Sequence, residues 1–137
     1  MKADFNLAFN ELKNYFQKEI PELGGLISHW EDPYTVTKNR AIILPDAHSG
    51  AGNRADFAVL LCVSIVEKNA DAIAKTQMEI MEKVFKAVYS DRLPSPIISA
   101  AVNSADYFNP APQSQNVGII YAVIGLVTEY LDDCSMG

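Results

Sequence analysis

The chain has 137 residues, a formal net charge of −6, 49% hydrophobic residues and 20% charged residues. That length suits one domain of roughly 100–150 residues, large enough for a core without disulfide or metal staples. The acidic balance and the scattered Lys and Arg argue against a basic phosphate-binding patch, and the longest apolar run, 117–127, is far short of the ~20 residues a membrane span needs.

Cys62 lies inside an apolar run and Cys134 near the C-terminus. Two cysteines in a chain of this size read as free thiols in a reducing compartment, with Cys62 a small core residue. Residues 1–16 alternate polar and apolar side chains and carry Asp4 and Glu11, which is not the pattern of a secretory leader. The expected location is therefore the cytoplasm.

In chain order, residues 4–20 predict an amphipathic helix. Phe5, Ala8, Phe9, Leu12, Phe16 and Ile20 recur at spacings of three and four, with Asp4 as N-cap and Pro21 as stop. Short strands are expected at 26–30 and 41–44, with a turn at Glu31-Asp32-Pro33 between them. Residues 45–56, rich in Gly, Asn, Asp and Ser, predict a flexible loop or a hairpin tip.

The clearest strand is 55–66. Phe57, Val59, Leu61, Val63 and Ile65 alternate onto one face. Residues 69–90 predict a second amphipathic helix with the stripe Ile73, Gln77, Ile80, Met81, Val84 and Val88, capped by Asn69 with Asp71 in its first turn. Pro94 and Pro96 end it. A strand of small residues at 97–104, a Pro-rich loop at 109–116 and a long apolar strand at 117–128 follow, then a frayed end at 132–137. The expected architecture is one α+β domain spanning 1–137: a mainly antiparallel four- to five-stranded sheet with two helices packed on one face.

A sheet covered by helices on one face should be polar on the other. The two long strands are not. Leu60, Cys62 and Val66 recur on one, and Ile120, Ile124 and Leu126 on the other. Either loops fold across that second face or another subunit covers it. The loops are polar and rich in Gly, Asn and Pro, which favours the second reading. It makes Leu60, Cys62, Val66, Ile120, Ile124 and Leu126 the expected oligomer interface. On that reading a charged residue at Leu60 or Ile124 gives a folded but dissociated protein.

Candidate chemistry is sparse. Asp46, His48 and Ser49 are the residue types of a hydrolase triad, but neighbours in one loop rarely reach triad geometry. Gly50-Ala51-Gly52-Asn53-Arg54 lacks the spacing of a P-loop and precedes a strand. His29 and His48 have no second His or Cys at metal-ligand spacing, and Asp132-Asp133 sits in no EF-hand loop. The expectation is a non-enzyme with no cofactor and no metal. Trp30 and Tyr34, beside the turn, are open to two readings: a recognition surface, or rings that close an edge of the core.

The layout as a whole resembles the phage tail-terminator, tail-completion or neck proteins. The segments that carry the likeness are RADFAVLLCVSIVEKN (54–69), ADAIAKTQMEIMEKVFKAVY (70–89) and GIIYAVIGLVTEY (118–130). The resemblance is one of element order over most of the chain and brings no catalytic residues with it. It implies a homo-oligomeric ring, typically of six subunits, that caps the tail tube and joins it to the head. Such a subunit is made in the host cytoplasm and ends in the virion. DNA passes through the ring, and an acidic wall would let it slide. The loops at 45–56 and 109–116 would then meet tube and head proteins, which makes His48, Asn53, Arg54, Asn109 and Gln113 the expected contact residues. Two other readings stand beside this one: a small dimeric α+β ligand-binding or regulatory protein, and an enzyme built on Asp46, His48 or Ser49.

Overall fold

A computed structural model describes residues 5–51, 54–108 and 116–128. The elements are α1 (Phe5–Glu19), a 3-10 turn (Pro21–Leu23), β1 (Leu26–Ile27), β2 (Arg40–Ala51), β3 (Arg54–Val66), α2 (Ala70–Val88), β4 (Ile97–Phe108) and β5 (Val117–Thr128). They form the expected α+β architecture. The sheet has five strands in the order β1-β2-β3-β5-β4, antiparallel except for the short parallel β1–β2 pair. β3 and β4 are both antiparallel to β5, which lies between them, and α2 makes the crossover.

Both helices start and stop for local reasons. Asn69 Oδ1 accepts the Ala72 N–H at 2.9 Å and satisfies an orphan donor of the first turn of α2. α1 ends before Pro21, whose 3-10 turn closes when the Gly24 N–H donates to the Pro21 carbonyl at 3.0 Å. Gly24 takes φ +72° there, a conformation that favours glycine. The Asp4 cap expected for α1 lies outside the described residues. The helices are tied together where Tyr15 donates its hydroxyl to the Ala87 carbonyl at 2.8 Å. Ion pairs Lys83–Glu22 and Arg92–Glu19 reinforce the same side.

The main core lies between the helices and one sheet face. Leu12, Phe16, Ile80, Met81, Val84 and Val88 pack there on Val59, Leu61, Val63 and Ile65 of β3. The partners from β5 are Ile120, Ala122, Ile124 and Leu126, because Val63 stands opposite Ile120, Leu61 opposite Ala122, Val59 opposite Ile124 and Phe57 opposite Leu126. Three of the six residues expected at an oligomer interface therefore face the protein's own helices. Ile120 and Ile124 are fully buried and Leu126 nearly so. The placement expected from sequence is corrected: β5 is apolar on both of its faces, and only pairing with β3 determines which one turns inward.

Of the two expectations for 45–56, a flexible loop or a hairpin tip, the described residues fit the second, as paired arms of an antiparallel hairpin that are mostly strand. β2 runs on to Ala51 and β3 begins at Arg54, paired antiparallel, and residues 52 and 53 between them lie outside the described residues. The ladder shifts register between Pro45 and Ala47. Pro45 is tolerated because β1 pairs only with Ala41 and Ile42, and no described strand needs an N–H on that edge beyond them. β4 likewise extends beyond the predicted 104 to Phe108. On α2, the buried Gln77 Nε2 donates to the Ile119 carbonyl at 2.9 Å, so the one polar member of the core stripe has its partner on β5. Next to it Gly118 is required: a Cβ there would come within 2.2 Å of Ile73 Cγ2.

The corrected faces lead to opposite expectations for two substitutions. Ile124→Asp places a carboxylate in the sealed core. Removing an Ile side chain alone costs roughly 2–5 kcal/mol, and an unpaired buried charge adds to that in a domain whose total stability is of order 5–15 kcal/mol. Ile124→Asp should be unfolded by circular dichroism and thermal melting, whereas Leu60→Lys, on the other face and half-buried, should stay folded with a small loss of Tm.

Candidate functional site

The second face of the sheet divides into two halves. Its large side chains, Ile42, Cys62, Val117 and Ile119, form a smaller cluster with Ile27, Val36, Leu44, Val66 and Tyr121. The connection 28–39 lies across it. Ser64, itself buried, donates its Oγ–H to the Pro33 carbonyl at 2.7 Å, and the Val66 N–H donates to Asn39 Oδ1 at 2.9 Å. Trp30 stacks on Tyr121 with ring centroids 6.5 Å apart, and Glu31 pairs with Arg40. The turn expected at 31–33 shapes this strap: Asp32 Oδ1 accepts the Tyr34 N–H at 2.9 Å.

A loop thus covers this half, the reading that sequence made the less favoured one. Cys62 is 1% exposed beneath it and is not available as an interface residue in this arrangement. Leu60 and Val66 remain half-buried. The uncovered half needs no large cover. Its central row across four strands is Ala47, Ala58, Gly125 and Ala101. Asn103 leans over Gly125 so closely that a Cβ there would stand 2.8 Å from Asn103 Nδ2.

The aromatic pair beside the turn divides between its two readings. Trp30 closes the edge of the smaller cluster through Tyr121, yet half of it faces solvent, and Tyr34 is also exposed. His29, exposed, sits 3.2 Å from Glu31. Of the expected contact residues, His48 is exposed on β2 and Arg54 opens β3. Asn53, Asn109 and Gln113 lie outside the described residues, as do Asp132, Asp133 and Cys134.

Asp46, His48 and Ser49 lie along one strand, not in a folded loop site. The described contacts of the His48 ring are aromatic. Phe5 meets it edge-on at 4.7 Å and Phe57 stacks with it at 5.8 Å. These rings, with Phe9, Asn6, Ser28 and Pro45, line a cleft of about 390 Å³ between the start of α1 and the β2–β3 hairpin. No group of three or more His, Cys, Asp or Glu side chains that could hold a metal ion occurs among the described residues. No helix among them is long and apolar enough to cross a membrane.

The most exposed apolar surface is one that sequence reasoning passed over. Met78 (55% exposed), Phe85 (43%) and Tyr89 (58%) stand along the flank of α2, outside its core stripe, and Tyr107 (43%) joins them from β4. Phe85 and Tyr89 stack at 5.8 Å. The Tyr89 hydroxyl accepts the Val102 N–H at 3.0 Å, which fixes the ring against β4. The signal was present in the spacing: Met78, Phe85 and Tyr89 are seven and four apart, so they share a helix face with Glu82. β4 itself is an edge strand, mostly exposed, and contains no Lys, Arg or Pro, the residues that usually blunt such an edge. No protein-family model matches the chain, and no curated protein matches it either.

Cys62 offers a direct check of the strap. Burial pushes its thiol up to about 11, against the lowering effect of a hydrogen bond with Tyr121. The folded state therefore holds the proton more tightly than the unfolded chain, whose thiol titrates near ~8.5. The resulting stability is complete below that value and is lost as pH rises through about 11. Alkylation of Cys62 at pH 8, followed by peptide mass to separate it from Cys134, should be slow in the native protein and fast in urea. Cys62→Ala should lose less stability than wild type between pH 8.5 and 11.

Proposed function

We propose that this chain is a structural subunit of a phage or prophage tail-terminator (tail-completion) assembly, a homo-oligomeric ring that caps the tail tube and joins it to the head. The observation that carries the assembly part is the exposed aromatic patch Met78–Phe85–Tyr89–Tyr107 beside the edge strand β4. Apolar surface of that kind on a small domain marks a contact with another protein. The tail-specific part rests on the resemblance in element order. On this reading the chain performs no catalysis and holds no cofactor, and DNA passes through the ring without sequence-specific contact.

The dimeric ligand-binding reading has one observation in its favour, the aromatic cleft beside His48, since small-molecule sites are apolar recesses with a few polar groups.

Light scattering on the purified protein, with and without a phage tail-tube protein, separates the two. A ring-sized species, visible as rings in electron micrographs, is the expected result. A monomer at every concentration that the tube protein does not shift would overturn the proposal. So would a dimer that copurifies with a metabolite.

A further inference from the structure

We infer that one copy of this chain docks its α2–β4 aromatic patch into the Phe5–Phe9–His48–Phe57 cleft of the next copy, head to tail. The inference rests on the assembly reading above and names the two surfaces that would meet.

The two features sit at opposite ends of one sheet. The patch belongs to α2 and to β4, the last strand in the order, whereas the cleft lies between α1 and β2, beside the first. A contact between two different patches at opposite ends is heterologous, and it propagates from copy to copy, closing a ring where the rotation permits and running on as a filament where it does not. An apolar patch that met its own copy would instead stop at a dimer.

Shape and chemistry agree. An apolar cavity of about 150 Å³ accommodates a benzene ring, so a cleft of about 390 Å³ has room for the stacked pair Phe85–Tyr89. The receiving walls are aromatic: Phe5 and Phe9 are half-buried and His48 is exposed, so parts of these rings reach the cleft, while Phe57 is buried beneath them with Phe5 edge-on at 5.3 Å. The donor side is already ordered. Stacking and the hydrogen bond to Val102 hold Tyr89 in place, so docking costs little rotamer freedom. Fully buried aromatic side chains cover roughly 150–250 Å² each. The four half-exposed side chains thus supply about half of the ~800 Å² per partner of a stable interface. The edge of β4 lies beside the patch to supply the remainder on that partner, and the cleft walls with the rim residues Asn6, Ser28 and Pro45 form the receiving side.

Two double variants test this, each altering only exposed positions. Met78→Glu/Phe85→Glu spoils the patch and keeps the cleft. Asn6→Glu/Ser28→Glu charges the rim of the cleft and keeps the patch. Melting temperatures near wild type confirm folding, and light scattering reads mass. The expected result is an assembled wild type, two variants that are each monomeric at 15.1 kDa, and a one-to-one dimer of twice that mass when they are mixed. The inference is overturned, with the assembly reading left standing, if wild type assembles while either variant assembles equally well, or if the two monomeric variants do not pair. A cleft variant that behaves as wild type points to an isologous patch contact or to some other occupant of the cleft. A wild type that is monomeric throughout overturns the assembly reading and this inference together.

Discussion

The pairing of β3 with β5 is the constraint on which the rest of the molecule depends. It runs unbroken from Ala55 opposite Thr128 to Val66 opposite Val117. Because side chains alternate along a strand, this one register decides that Phe57, Val59, Leu61, Val63 and Ile65 share a face with Ile120, Ala122, Ile124 and Leu126. The helices settle on that face because it buries the most apolar volume. A slip of one residue would present Ile119, Tyr121 and Val123 to them and turn Ile124 to the other side.

What the helices leave uncovered is then handled locally. The large residues of the second face gather at one half, under the strap 28–39, whose Pro33 carbonyl is held by the Ser64 hydroxyl. Buried polar groups of this kind favour one arrangement of the loop, since a displaced strap would strand the Ser64 hydroxyl. The other half has a central row of Ala and Gly, which forgoes little by facing water, and its larger members Leu60, Val123 and Val127 are half-buried. The face that looked from sequence like an unmet interface is thus mostly closed within the chain. Much of the remaining apolar exposure lies at the ends of the sheet, in the α2–β4 patch and the α1–β2 cleft, with Trp30 and Tyr34 exposed on the strap and Ile98 and Phe108 on β4.

The parts legible in sequence were those with a single periodicity. α1 and α2 stand where spacing placed them, and the Asn69 cap makes its bond. β3 was legible because its two faces differ in bulk. β5 was legible as a strand, but its inward face was not, because both faces carry Val, Ile or Tyr. The strap had no periodic signal at all. Its hold comes from pairs such as Ser64–Pro33 and Trp30–Tyr121, far apart in the chain. The exposed patch was hidden by its neighbours. Met78 and Phe85 stand among Lys75, Glu79, Glu82, Lys83 and Lys86, and a charged helix flank reads as solvated.

The second face is largely satisfied within the chain, and the proposed contact between copies falls at the ends of the sheet. Hydrogen–deuterium exchange by peptide mass, compared between dilute and assembled protein, tests it most directly. Assembly should slow exchange in peptides covering 78–89, 97–108, 5–9 and 45–48 and leave 58–60 and 123–127 unchanged. Added protection confined to 58–60 and 123–127 would contradict the account and return the interface to the face of the sheet.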